Sequence, residues 1–393
     1  MVPIFRLDYS EKDIKFILRG IEEVLRSGYL TMDRRVREFE EAFAAFCGVK
    51  YAVGTNSGTS SIEIALRAID VDGGTVVMPS NTYMATPLAA IKAGARVVFT
   101  ECDAETLQMD PADLEKKIRE DTRAVIVVHI GGIISPEIER IKAICDERDL
   151  PLIEDAAHAH GAEAKGKRAG NIGLAGSFSF YPTKVLTTAE GGMLTTNDRA
   201  LYEKAKVLRE HGKACHRLNV HTEIGDNWRC SEIHAVLGIQ QMRKADAILK
   251  ARRQLASMYD DRLGGNQLLE TLRIPLEIKP SYYKYITMLA EHLDRNEVKC
   301  RMKEDYGIEL PGEVYSDPCH SQPVFRKYPK YLANGKEDKF PVTERICRRQ
   351  LCLPLYPGLT NEELDYVVIS LGKLLAALDR KYQNKPSEKF QET

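Results

Sequence analysis

Two hydrophobic periods divide the chain. Between residues 11 and 47 apolar positions recur every three to four residues, in KDIKFILRGIEEVLRSG and VREFEEAFAAFCG. That spacing predicts two amphipathic helices, each ending near a glycine. From about residue 51 short apolar runs take over: YAVGTN, TVVMPS, ARVVFTE, AVIVVHI and LPLIEDA. Helical patterns such as TSSIEIALRAI, PADLEKKIRE and EIERIKAICDERD separate them. The alternation predicts βαβ units, hence an α/β fold with a mostly parallel central sheet flanked by helices. After about residue 245 the texture changes. A long helix through KADAILKARRQLASMYDDRL leads to a mixed region with YYKYITMLA, an irregular stretch over 310–342 and a final helix, EELDYVVISLGKLLAALDRK. The expected organisation is a large domain over 1–245, a smaller C-terminal α/β domain over 246–382 and a polar, disordered tail over 383–393. No internal repeat is evident.

Composition narrows the class. The 393 residues are 44% hydrophobic and 29% charged, the profile of an ordinary globular enzyme, and long enough for two domains. With 56 basic and 57 acidic residues the net charge is −1, which argues against a nucleic-acid binder or a polybasic membrane protein. Nine scattered cysteines without a C-x-x-C pair fit reduced thiols better than a disulfide framework or a metal site. The charged start, MVPIFRLDYSEKDIKF, does not read as a signal peptide, and no apolar run approaches the ~20 residues of a membrane span. The expected location is the cytoplasm.

On parallel sheets ligands sit at the carboxyl ends of the strands. Three such ends carry chemistry. Asn56-Ser57-Gly58-Thr59-Ser60-Ser61 joins a strand to a helix, and backbone N–H groups with small hydroxyls there make either an anion cradle or an ordinary Ser/Thr cap. The P-loop lysine and the dinucleotide glycine pattern are missing, which disfavours ATP and NAD. Asp155, closing LIED, is a helix cap or a carboxylate awaiting a cationic partner, such as a protonated pyridine nitrogen. Lys184 closes Ser177-Phe178-Ser179-Phe180-Tyr181-Pro182-Thr183-Lys184, before a Gly191-Gly192 turn. A lone lysine is usually a surface group, but a sheltered one has the lowered pKa an imine-forming amine needs.

Taken together, these stretches resemble the DegT/StrS family of sugar aminotransferases that use pyridoxal phosphate (PLP) on a type I fold. The likeness covers nearly the whole chain, through GTNSGTSS, MPSNTYMAT, VVHIGG, IEDAAHAHGA, SFSFYPTK, EGGMLTT, GDNWRCSEIHAVLGIQQ and LCLPLYPGLTNEEL. It implies that Lys184 forms the Schiff base with PLP and that Asp155 partners the pyridine nitrogen. Gly58, Thr59 and Ser179 would hold the phosphate, and Tyr83 would stack on the ring rather than serve as core packing. Asn227 would reach the phosphate of a neighbouring subunit rather than fill a turn, which implies a homodimer with shared sites. Trp228 stands where the family usually has Tyr. His158 would face the cofactor's phenolic oxygen, leaning towards amination at sugar C4 over C3, or be a structural histidine. Arg229, His320, Lys213 and Tyr315 are candidate substrate contacts, each also readable as a surface or packing residue.

The activity implied is transfer of an amino group from glutamate to a nucleotide-linked 4-keto-6-deoxy sugar. The alternatives are a non-nucleotide keto-sugar or cyclitol as acceptor, a PLP-dependent dehydratase, and a PLP-binding regulator. Lys184 sets the chain apart from the dehydrating branch, which carries histidine there.

Overall fold

The structure is a computed structural model that describes residues 1–214, 219–335 and 337–383. The tail expected over 383–393 lies, from residue 384 onward, outside the described residues. Two helices open the chain, α1 (Glu11–Ser27) and α2 (Arg34–Cys47). Ser10 and Asp13 close a capping box at the start of α1, each side chain accepting from the other's backbone N–H. On α2 the apolar positions Val36, Phe39 and Phe43 fall on one buried face, as the helical period requires. Phe39 and Phe43 pack edge-on against Phe180 at 5.2 and 5.3 Å between ring centroids, under the strand that leads to Lys184.

Seven strands form the central sheet: β1 (Tyr51–Thr55), β2 (Thr75–Pro79), β3 (Arg96–Thr100), β4 (Thr122–Val128), β5 (Leu152–Asp155), β6 (Ala175–Ser179) and β7 (Gly192–Thr196). Their order is β1-β7-β6-β5-β4-β2-β3. Only β7 runs antiparallel to its neighbours. The runs of Val, Ile and Leu are buried on both faces, as strands covered by helices on each side must be. Because six strands share one direction, Thr55, Pro79, Thr100, Val128, Asp155 and Ser179 all end on the same edge. Pairing of Asp155 with Ser177 across β5 and β6 sets the carboxylate beside the strand that precedes Lys184.

A helix of 32 residues, α3 (Glu232–Leu263), runs from this body to a second sheet. Its first half packs on α1, where a Cβ on Gly20 would come 2.7 Å from Val236, so only glycine allows the approach. Residue 245, at the expected division, lies inside this helix. The later half, with Leu255, Tyr259 and Leu263, enters a separate core built on β8 (Leu269–Thr271), β9 (Tyr285–Leu289) and β10 (Gln350–Leu353). Helices Arg295–Tyr306 and Asn361–Gln383 complete it. The stretch 310–342 contains short helical turns at Cys319–Ser321, Pro323–Lys327 and Pro329–Tyr331. Beyond them Asn334 takes the Phe99 N–H (2.6 Å) and donates to its carbonyl (3.0 Å), satisfying the open edge of β3. Among the described residues no helix is long and apolar enough to cross a membrane.

Candidate active site

At the end of β1 the chain turns directly into the helix Gly58–Ala68. Ser57 caps it by accepting from Ser60 N (3.1 Å). The first intrahelical bond of that turn is Ser61 N to Ser57 O (3.2 Å), so the N–H groups of Gly58 and Thr59 point out of the helix start. Ser177 donates to the Gly58 carbonyl (2.9 Å), holding the helix start against β6. Contact is so close that a Cβ on Gly58 would meet Ser179 Cβ at 2.9 Å. The Gly58 and Thr59 N–H groups at the positive end of a helix, with Ser179 packed against Gly58, suit an anion.

Asp155 is 6% exposed. Its Oδ2 accepts from the Thr86 hydroxyl (2.7 Å) and its Oδ1 from Ala157 N–H (3.2 Å). Burial pushes this carboxyl above its ordinary range, with Thr86, Ala157 and the charge on Lys184 acting against the shift. A carboxylate retains acceptor capacity beyond two bonds, so a cationic N–H fits against it. On Lys184 the balance runs the other way. Loss of water draws its ammonium down to about 8; Asp155 opposes the shift and Lys284 adds to it. The two groups thus feel each other across adjacent strand ends.

Four rings line the space above. Lys184 Nζ lies 4.7 Å from the centroid of Tyr283, whose hydroxyl meets Thr183 Oγ1 at 3.1 Å. His158 stacks on Tyr283 at 4.1 Å and 23°, Tyr315 on His158 at 5.9 Å and 21°, and Tyr83 on Tyr315 at 6.4 Å and 23°. Burial and the nearby cations Lys184 and Lys284 hold His158 neutral, and its Nδ1 has no hydrogen-bond partner among the described residues. An orphaned, buried ring nitrogen is unusual and suits a polar atom of a bound molecule.

The remaining sequence candidates make their contacts elsewhere. Arg229 pairs with Glu210 at 3.0 Å. His320 is held by Ser80 (2.7 Å) and Glu344 (3.3 Å) and stacks on Phe340. Lys213 lies in a bridge with His221. Asn227 is exposed, and its carbonyl accepts from Asn56 Nδ2 (3.4 Å), beside the helix cap. Thr86, Tyr283 and Lys284 were not singled out in the sequence. Thr86 lies inside the quoted MPSNTYMAT, but nothing in that pattern shows it facing Asp155. Among the described residues no cluster of His, Cys, Asp and Glu could hold a metal. Chemically, the arrangement takes an anion at the helix start, a cationic nitrogen at Asp155 and a carbonyl carbon at Lys184.

Comparison with known proteins identifies the family. The profile of the DegT/DnrJ/EryC1/StrS aminotransferase family matches residues 11–372. GDP-perosamine synthase of Escherichia coli O157:H7 is 30% identical over 374 residues, covering 95% of this chain and 98% of the relative. The dTDP-3-amino-3,4,6-trideoxy-alpha-D-glucose transaminase of Micromonospora megalomicea subsp. nigra is 31% identical, covering 95% and 98%. The crystal structure of NtdA from Bacillus subtilis with bound cofactor PMP superposes with a TM-score of 0.85 at 25% identity, covering 93% of this chain and 83% of NtdA.

Proposed function

The chain belongs to the DegT/DnrJ/EryC1/StrS aminotransferase family, and on that premise we propose that it carries PLP on Lys184 and aminates a nucleotide-linked 4-keto-6-deoxy sugar with glutamate as donor. PMP in the NtdA structure and the nucleotide-sugar names of the two relatives support this reading. The observation that carries it is the convergence on one strand edge of the Gly58 helix start, the buried Asp155 and Lys184, whose amine is drawn to about 8.

When bound, PLP supplies an electron sink for the bonds at the donor's α-carbon. The Gly58 and Thr59 N–H groups and the Ser179 hydroxyl would hold its phosphate. Asp155, fixed by Thr86 and Ala157, would keep the ring nitrogen protonated, and the unpartnered His158 Nδ1 would be available to the phenolic oxygen. The Lys184 amine moves the proton, a task suited to a base whose pKa lies near neutrality. Tyr83, stacked on Tyr315, would cover the ring. Exposed Asn227 completes the phosphate contacts of a second copy, which makes the working form a homodimer.

The test is a glutamate-dependent assay on purified protein with a panel of GDP- and dTDP-linked keto-sugars, free keto-sugars and cyclitols, following 2-oxoglutarate. Product with nucleotide-linked 4-keto sugars is expected. Product only with free sugars or cyclitols moves the substrate class, and PLP binding without turnover on any acceptor leaves a regulator.

A further inference from the structure

We propose that Lys284 grips a carboxylate of the substrates brought to Lys184, a specificity role that rests on the aminotransferase reading above. Lys284 directly precedes β9, and its Nζ lies 5.2 Å from the centroid of the Tyr283 ring. The Lys184 amine lies 4.7 Å from that same centroid, and the His158 ring stacks on it at 4.1 Å. Two amines and the neutral imidazole therefore share one phenol ring. The charges also act on one another: Lys284 draws the Lys184 amine down, and both amines act on His158.

The charges facing this space do not balance. From α3, Arg252 is 6% exposed and gives its hydrogen bonds to the carbonyls of Tyr282 (3.0 Å) and Leu355 (2.8 Å), with no carboxylate among them. Glu313 bears on Lys284 but is already held by Lys299 (2.6 Å) and Arg295 (3.7 Å). Asp260, in the cleft that Lys284 also lines, accepts from the Tyr285 hydroxyl at 2.7 Å. Asp155 bears on Lys184 and not on Lys284, and in the reading above it is reserved for the ring nitrogen. The neighbouring thiol of Cys352 is pushed up to about 11 by burial and stays neutral. Lys284 itself makes no ion pair and no side-chain hydrogen bond among the described residues.

Among the described residues, Lys284 and Arg252 thus meet no uncommitted anion. An ammonium drawn out of water without a partner is costly, whereas an apolar side chain before the fully buried β9 would pack without that penalty. Burial already lowers the Lys284 pKa, and an arriving carboxylate would restore the charge by a charge-assisted hydrogen bond. A carboxylate fits better than a phosphate, because the donor amino acid carries one directly on its reacting carbon. A sugar acid in place of the 6-deoxy sugar would bring the same group on its ring.

The experiment uses PLP-loaded wild type, Lys284→Met and Lys284→Arg. Binding of 2-methylglutamate, which cannot lose an α-proton, is titrated by the shift of the imine absorbance. The amine-transfer half-reaction is run separately with neutral and carboxylated amino-sugar nucleotides. If the donor's carboxylate is held, Lys284→Met weakens 2-methylglutamate binding by on the order of tenfold to a hundredfold and leaves both sugars unchanged. If a sugar acid is held, only the carboxylated sugar suffers. In either case Lys284→Arg recovers most of the loss. Unchanged constants in both arms overturn the proposal, and so does loss of the imine band itself in both variants, which would give Lys284 a role in the cofactor site instead. Wild type that fails to react with glutamate and with every sugar would instead overturn the aminotransferase reading.

Discussion

The floor of the site and its rim are built by opposite rules. On the floor, Asp155, His158, Ser177 and Gly58 are buried and joined by hydrogen bonds or packing to residues of the same chain. On the rim, Tyr83 is 66% exposed and Tyr181 48%. Ile224, near Asn227, is 86% exposed. The floor is complete within one chain, whereas the rim leaves large apolar groups in water.

The sharpest test of that contrast is Lys184→Ala, which should lower turnover by about a thousandfold or more and remove the imine absorbance. Full transaminase activity in that variant would refute the role of the floor. Asp155→Asn keeps the shape but not the charge, and should cost about a hundredfold in kcat together with weaker PLP retention on dialysis. Thr86 acts through Asp155, so Thr86→Val should cost about tenfold and Thr86→Ser should restore it. Its distinguishing signature is a pH profile: without the Thr86 hydrogen bond the already raised Asp155 pKa climbs further, and PLP is released at a higher pH on acidification.

On the rim, Asn227→Ala should weaken PLP binding by about tenfold at most. Mixing it with Lys184→Ala chains should regain activity if Asn227 serves the other copy's site. No recovery after subunit exchange would place Asn227 in its own chain's site. The smallest expected effect is one of pH. Lys184 has a folded pKa of about 8, below its ordinary 10.5, so the unfolded chain binds the extra proton between those values. Stability therefore rises with pH across that window, and the full penalty applies below it. Capture of PLP by cofactor-free protein should speed up as pH rises to about 8 and then level off, because only the neutral amine attacks a carbonyl.

The groups legible in the sequence are those whose position follows from local pattern. Asp155 closes an apolar run, Lys184 follows an alternating strand, and Gly58 stands between a strand and a helical period. In each case strand direction alone carries the residue to the ligand edge. Thr86, Tyr283 and Lys284 left no such mark. Thr86 meets Asp155 from 69 positions away, and Tyr283 and Lys284 reach Lys184 only because the segment leading into β9 folds back over the first sheet. The stretch 310–342, read as irregular, contains helical turns too short to leave a periodic signature. Arg229 and His320 had the right chemistry, but their ion-pair and hydrogen-bond partners, Glu210, Ser80 and Glu344, come from other segments.

By itself the sequence determined the order of strands and helices, the shared strand edge and the family, because burial and periodicity act over a few residues at a time. Only the tertiary structure decided which side chains surround the amine at 184, how far its pKa falls and which cations go unpaired. Those quantities depend on desolvation and on charges from distant segments, and neither exists until the two sheets close on one another.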